Sequence, residues 1–143
     1  MPARALADTG ALLACLDDKD HWHSRCRETF EGLHLPLLTS TAVLTELFHL
    51  ARGRKQQLQV VWAFVRSGAL RVVPMTDADL PLLEALMLRY RDRPMDLADA
   101  TLVRIAERES ILTVFTTDND DFETYRAFGR RRFRVLPGRP SRS

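Results

Sequence analysis

The stretch PMDLADATLVRIAERESILTVFTTD (residues 94–118) combines a helical pattern with a strand pattern. After Pro94, apolar residues recur at helical spacing and gather on one side of a helical wheel, which predicts an amphipathic helix that runs to about Glu109. The segment ILTVFTT (111–117) is apolar or β-branched throughout, and it predicts a buried strand. A helix that leads directly into a buried strand is the unit from which parallel sheets are built.

The rest of the chain repeats this alternation of strands and helices. Further strands are predicted over 3–8, 35–40, 69–75 and 133–137. Helices are predicted up to Leu16 and over 22–33, 41–53, 55–68 and 77–90, with a helical turn over 120–126. Such alternation implies a mostly parallel sheet that helices cover on both faces. The predicted fold class is therefore α/β, a three-layer α/β/α sandwich in a single domain.

Composition favours a soluble protein of the reducing cytoplasm. The chain has 143 residues, of which 45% are hydrophobic and 28% charged, as in ordinary globular domains. We expect no membrane span, because no run approaches the roughly 18 apolar residues that a span needs, and no signal peptide opens the sequence. Cys15 and Cys26 form no CxxC pair, which argues against a disulfide framework and a zinc site.

Positive charge is concentrated at the C-terminal end. From Phe122 onward there are seven arginines and one acid, although the whole chain has a net charge of only +2. An acidic body with a basic end, which includes Arg130, Arg131 and Arg132, suggests two functions on one surface. The alternative is a solvated, partly disordered terminus, which Gly138, Pro140 and two serines favour.

Carboxylates stand where an open α/β sheet places its ligands. Asp8 ends the first predicted strand, Asp118 follows the last residue of ILTVFTT, and Glu46 lies on the helix after the second strand. Asp99 interrupts an apolar helical stripe, three residues after Asp96. Ligands of such sheets bind beyond the carboxyl ends of the strands, so four distant segments are expected to bring acids to one rim.

Most of these acids also have a purely structural interpretation. Glu46 can be a surface acid at the edge of its stripe, and helix capping explains Asp8, Asp96, Asp118 and Asp121. Asp99 lacks such an explanation, because it falls on a core-facing stripe where an unpaired charge is costly. Clustered carboxylates raise one another's pKa unless a cation compensates, and oxygen-only donors suit Mg²⁺ or Mn²⁺. The cluster therefore predicts a magnesium or manganese site.

At this point the sequence resembles the PIN domain family, and within it the VapC-type toxin ribonucleases. The resemblance is carried by LADTGALLA (6–14), TSTAVLTELFHLA (39–51), PMDLADATLVRIAE (94–107) and TTDNDDFETYR (116–126). It implies that the acidic metal ligands, which are also the catalytic residues, are Asp8, Glu46, Asp99 and Asp118.

The same resemblance implies a doubly wound sheet of four or five parallel strands and Mg²⁺- or Mn²⁺-dependent cleavage of RNA. It further implies a homodimer and inhibition by a cognate antitoxin. With RNA as the substrate, its backbone is expected to be held by arginines of the C-terminal end, with Arg130, Arg131 and Arg132 as the candidates, or by Arg91 and Arg93. The PIN-like nuclease domain would span 1–137, and 138–143 would be a basic, disordered tail. In the family pattern Asp96 is an extra acid, and TDNDDF offers both Asp118 and Asp121 as a direct ligand.

Four residues are predicted to support the ligands rather than to be ligands themselves: Thr9, Asp96, Thr117 and Asp121. The two threonines stand beside strand ends, where a hydroxyl can orient a ligand or a phosphate, although such threonines are usually structural.

Two other functions stay open at the level of sequence. One is a metal-dependent phosphohydrolase that acts on small phosphate esters. The other is a non-catalytic PIN-like module that binds RNA or protein. Serine or cysteine hydrolysis and phosphate-loop nucleotide binding lack their motifs, since the sequence has no GxSxG elbow and its six glycines are scattered.

Overall fold

A computed structural model describes residues 4–52 and 55–140 as a three-layer α/β/α sandwich. The strands are β1 (Arg4–Ala7), β2 (His34–Thr39), β3 (Leu70–Val72), β4 (Thr113–Thr116), β5 (Arg126–Ala127), β6 (Arg131–Arg132) and β7 (Arg134–Pro137). The helices are α1 (Thr9–Leu16), α2 (His23–Glu31), α3 (Thr41–Ala51), α4 (Lys55–Arg66), α5 (Leu80–Arg89), α6 (Leu97–Glu109) and α7 (Asn119–Thr124), with a 3₁₀ turn over Asp77–Asp79. Within these ranges no helix is long and apolar enough to cross a membrane.

The main sheet has five parallel strands in the order β3-β2-β1-β4-β7. Its central strand β1 is buried on both faces, because Ala5, Leu6 and Ala7 are all 0% exposed. Helix α6 packs on β1 and β2, whereas α1 contacts β4 and α2 contacts β7. The predicted fold class is confirmed, and the strand order reverses between β1 and β4.

Helices begin immediately beyond the carboxyl ends of three strands. Asp8 caps α1 directly after β1, Ser40 caps α3 directly after β2, and Asp118 caps α7 two residues after β4. Each cap accepts a hydrogen bond from a main-chain N–H of the first turn, which satisfies a donor that the helix leaves unpaired. This edge of the sheet thus collects side-chain oxygens and the positive ends of helix dipoles.

Sequence analysis did not predict the antiparallel hairpin formed by β5 and β6. Each strand has only two residues, too few to show an alternating pattern, and the turn between them uses positive φ at Phe128 (55°) and Gly129 (73°). Ala127 is fully buried, and β5 packs against α6. The hairpin therefore fixes the basic segment 130–132 on the domain.

The predicted tail begins within the described part of the chain. Arg25 Nη2 donates to the carbonyl of Gly138 at 2.9 Å, and Arg139 forms ion pairs with Asp120 (2.6 Å) and Glu123 (2.9 Å). Residues 138–140 thus lie along the domain surface, whereas the prediction of disorder for 141–143 falls outside the described residues.

Candidate metal centre

Asp8 lies at the point where the strand order of the sheet reverses. Its main-chain N–H donates to the carbonyl of Phe115 at 2.9 Å, which ties the end of β1 to β4. Its carboxylate accepts from the Thr9 N–H at 2.8 Å and from Thr116 Oγ1 at 2.7 Å. Such switch points are where open α/β sheets bind their ligands, because adjacent connections leave on opposite faces and open a crevice.

The Asp8 carboxyl is almost completely buried, with 8% of the residue exposed. Burial is the main cause that raises the pKa of Asp8 from 3.8 to about 6. The hydrogen bonds from Thr116 and Thr9 lower the pKa, and the negative charges of Glu46 and Asp96 raise it further. A buried carboxylate with acidic neighbours is costly in the apo protein, and a cation would relieve that cost.

Thr9 connects Asp8 with Glu46. Its main-chain N–H donates to Asp8 Oδ1 at 2.8 Å, and its buried hydroxyl donates to Glu46 Oε2 at 2.9 Å. Glu46 lies on α3, which packs against α1, and its side chain is half-buried. Thr9 therefore holds Glu46 in one orientation beside the Asp8 end of the sheet.

Asp99 lies in the first turn of α6, which begins at Leu97. The sequence predicted a carboxylate in the middle of a buried stripe. This prediction needs correction, because Asp99 is half-buried and lies close to the N-terminal end of the helix. Its N–H donates to Asp96 Oδ1 at 2.8 Å, so Asp96 is the N-cap. The four residues after Asp99, from Ala100 through Val103, are all buried, so the helix is covered on nearly every side at this point.

Tyr125 is a site residue that sequence analysis missed. Its hydroxyl donates to Asp99 Oδ2 at 3.0 Å across 26 residues of sequence. The ring is fully buried and contacts Tyr90 (centroids 5.0 Å apart) and Phe122 (5.3 Å). Burial and the nearby Asp99 carboxylate raise the pKa of Tyr125, so its hydroxyl keeps its proton and donates. Only its place just after TDNDDF hinted at this role.

Asp118 and Asp121 lie together at the start of α7. Asp118 accepts from the Asp121 N–H at 3.2 Å, and partial burial followed by the influence of Asp121 raises the pKa of Asp118 to about 6. Asp121 instead accepts from Arg93 Nη1 at 3.0 Å. Asp118 is the more exposed acid of the pair, whereas Asp121 already has a cationic partner.

Thr116 links the acids of β1 and β4, a role for which the sequence had suggested Thr117. Thr116 Oγ1 donates to Asp8 and accepts from the Asp118 N–H at 2.9 Å. The Thr117 hydroxyl lies against α1, where a Cβ on Gly10 would come within 2.5 Å of it. Glycine at position 10 therefore allows α1 to approach the segment that carries Asp118.

The acids form one electrostatic group. Burial, followed by the charges of Asp8 and Asp96, raises the pKa of Asp99 to about 8, and the Tyr125 hydrogen bond opposes this rise. Asp8 also raises the pKa of Asp118. Two of the four predicted ligands are thus the N-caps of α1 and α7 (Asp8 and Asp118), and the other two lie on α3 and α6 (Glu46 and Asp99).

The donor chemistry of this group fits a hard divalent cation. Within residues 4–52 and 55–140, no three Asp, Glu, His or Cys side chains converge closely enough to hold an ion by themselves. Mg²⁺ keeps several waters and commonly takes only one or two carboxylates, so it does not require such a closed cage.

The predicted RNA-binding arginines lie apart from the acids. Arg130, Arg131 and Arg132 are exposed on the β5–β6 hairpin. Arg89 Nη2 donates to the carbonyl of Gly129 at 3.1 Å, which joins the hairpin to the C-terminal end of α5.

The fold is thus an α/β/α sandwich whose five-stranded parallel sheet has acidic side chains at the end where its strand order reverses. Residues 5–127 match the family model of the PIN domain, and the chain belongs to this family. It is 29% identical over 135 residues to ribonuclease VapC26 of Mycobacterium tuberculosis (strain ATCC 25618 / H37Rv), covering 92% of this chain and 99% of that protein.

A solved structure with a similar fold is M. tuberculosis VapC20, a toxin that cleaves the sarcin–ricin loop. The TM-score is 0.69 at 21% sequence identity, over 80% of this chain and 91% of that one. At this identity the likeness concerns the fold.

Proposed function

We propose that this protein is a Mg²⁺- or Mn²⁺-dependent endoribonuclease and the toxin of a toxin–antitoxin pair. The observation that carries the proposal is that four chain segments place carboxylates at the same end of the sheet, where the charges of neighbouring acids help to raise the pKa of Asp8, Asp99 and Asp118. The ribonuclease name of the VapC26 relative supports RNA as the substrate.

In this proposal Asp8, Glu46, Asp99 and Asp118 hold the cation, directly or through its waters, and are the catalytic residues. When bound, the ion supplies a water of lowered pKa and positive charge beside the phosphate oxygens. Thr9 orients Glu46, and Thr116 orients Asp8 through its hydroxyl.

Asp96 and Tyr125 orient Asp99. Asp96 accepts a hydrogen bond from the Asp99 N–H, and Tyr125 donates one to the Asp99 carboxylate. Asp121 stays a supporting residue, because Arg93 already neutralises it. Thr117 is left with a packing role against Gly10.

Partners belong to the proposal as well. We expect a homodimer and a cognate antitoxin in the cytoplasm. Large apolar side chains that are about half exposed support protein–protein contacts: Leu50, Val60, Trp62, Leu80, Leu88, Leu97 and Phe128. Sedimentation of the purified chain tests the dimer, and a co-purifying product of the neighbouring reading frame tests the antitoxin.

Incubation of the purified protein with total cellular RNA, with Mn²⁺ or with EDTA, tests the activity. We expect discrete RNA fragments with Mn²⁺ and intact RNA with EDTA. Cleavage that survives chelation would contradict the metal mechanism. Hydrolysis of a generic phosphomonoester without RNA cleavage would identify a small-ester phosphohydrolase, and RNA retention without cleavage would identify a binding module.

A further inference from the structure

An open cleft of about 540 Å³ lies beside the metal centre, at the turn between α5 and α6. It is lined by Arg89, Tyr90, Asp92, Arg93 and Thr124. This volume is within the roughly 300–1,000 Å³ of ligand-binding clefts. Every lining side chain is polar or charged, so the cleft suits a polar ligand.

The cleft shares its wall with the acids. Arg93 Nη1 donates to Asp121 Oδ1 at 3.0 Å. The Tyr90 ring lies 5.0 Å from the ring of Tyr125, whose hydroxyl donates to Asp99. A ligand in the cleft is therefore separated from the carboxylate cluster by one layer of side chains.

The cleft also carries cationic donors that the fold does not use up. Arg89 Nη2 makes a hydrogen bond to a main-chain carbonyl, and its Cζ lies 5.4 Å from the centroid of the Tyr90 ring. Among the ion pairs of residues 4–52 and 55–140, none involves Arg89. A guanidinium has five N–H donors, so both Arg89 and Arg93 keep donors for an anion.

We propose that this cleft binds the sugar–phosphate backbone of the RNA strand next to the phosphodiester that is cut, with Arg89 and Arg93 donating to its phosphates. This inference rests on the proposed ribonuclease function. An anionic strand that approaches several carboxylates is repelled, and a cationic cleft at the rim offsets this repulsion and fixes the path of the strand. The exposed Asp92 carboxylate in the same cleft weakens the interaction.

Binding of a fluorescent single-stranded RNA in EDTA, followed by anisotropy over a series of salt concentrations, tests the cleft separately from cleavage. For Arg89→Gln/Arg93→Gln we expect about tenfold weaker binding at moderate salt and a salt slope smaller by about 1.4, since each phosphate contact on a single strand contributes about 0.7. For Asp92→Asn we expect binding about twofold tighter, because one repulsive charge is removed.

The matched control is Arg66→Gln/Arg71→Gln. It removes the same charge from two exposed arginines on α4 and β3, of which Arg71 pairs with Glu109 at 2.9 Å as Arg93 pairs with Asp121. We expect the control to bind RNA as the parent does.

Equal losses of RNA affinity in the cleft variant and the control variant would overturn the proposed role of the cleft. An Asp92→Asn variant that does not bind RNA more tightly would overturn it as well. The gain in Asp92→Asn cannot come from damaged folding. If the parent cleaves RNA but the cleft variant binds RNA as the parent does, the proposed role of the cleft is contradicted and the ribonuclease function is not. A parent that never cleaves contradicts the ribonuclease function, whatever the binding data.

Discussion

At the scale of single residues, Asp99 carries the largest unrelieved electrostatic cost in the candidate centre. Its pKa rises to about 8, compared with about 6 for Asp8 and for Asp118. Burial is the main cause, and the neighbouring acids add to it. The Tyr125 hydroxyl and the N-terminus of its own helix favour the ionised carboxylate of Asp99.

We predict that Asp99→Asn abolishes cleavage but leaves the metal-free protein at least as stable as the parent. Asparagine keeps the shape of the side chain and an oxygen that can accept from Tyr125, and it avoids the free-energy cost of a buried carboxyl whose pKa is raised to about 8. With excess Mn²⁺ the order should reverse. The parent gains about 2.7 kcal/mol at a hundredfold excess over Kd, and the variant gains less. Thermal melts in EDTA and in Mn²⁺ measure both effects.

Tyr125→Phe is the control for this experiment. It removes the hydroxyl that donates to Asp99 but leaves the acidic charge in place, so we expect it to lower the melting temperature already in EDTA. If Asp99→Asn instead lost equal stability in EDTA and in Mn²⁺, Asp99 would be an ordinary structural residue and the shared metal site would have to be abandoned.

At the scale of elements, a buried ion pair joins the 3₁₀ turn before α5 to helix α6. Asp79 is 3% exposed and accepts from Arg104 Nε at 2.8 Å and from Arg108 Nη1 at 3.3 Å. It also accepts from the Thr76 N–H at 2.8 Å. These interactions, with the Thr76 hydrogen bond first, lower its pKa from 3.8 to about 2.

We predict that Asp79→Asn destabilises the fold at neutral pH and that its effect shrinks in acid. Because the folded-state pKa lies below the unfolded value, the stabilisation is present above about pH 4 and is lost as the pH falls through about 2. A shift of this size corresponds to roughly 2 kcal/mol at pH 7, of which about half remains at pH 3. Urea unfolding at both pH values measures it.

The neighbouring exposed acid Asp77 supplies the control. Asp77→Asn changes the same charge on the same turn and should leave the unfolding midpoint nearly unchanged. A loss in Asp79→Asn that is equal at pH 7 and pH 3 would show that its ionisation does not stabilise this junction.

Sequence patterns predicted the elements whose signal is local. The strand at 111–117 and the helix after Pro94 were found from periodicity, and the structure has them as β4 and α6. Asp8 and Asp118 were expected beyond strand ends for the same reason, because position relative to an element can be read from the chain. The contacts of Tyr125, Thr116 and Asp79 were not predicted, since each joins residues at least 25 positions apart.

At the scale of the whole molecule, acids lie at one end of the main sheet and arginines are concentrated in the last part of the chain, but these arginines are not equivalent. Arg126 donates to three main-chain carbonyls at the end of α7, so its charge serves as a helix cap. Arg139 is paired with Asp120 and Glu123, and these pairs raise the pKa of its guanidinium further. Arg130, Arg131 and Arg132 are exposed on the hairpin next to Arg89.

We therefore predict that replacing Arg130, Arg131 and Arg132 with Ala weakens RNA binding and flattens its salt dependence, without changing the chemistry at the acids. If all three contact phosphates, the slope should fall by about 2, because fewer counterions are released on binding. Arg139→Ala is the comparison, since its charge is already neutralised by two acids and should add little to the slope. RNA binding in EDTA over a salt series measures both variants. Two results would contradict this prediction. The triple variant could keep the salt slope of the parent, or Arg139→Ala could lower the slope as much per charge removed as the triple variant does. Either result would mean that the hairpin arginines have no special part in binding RNA.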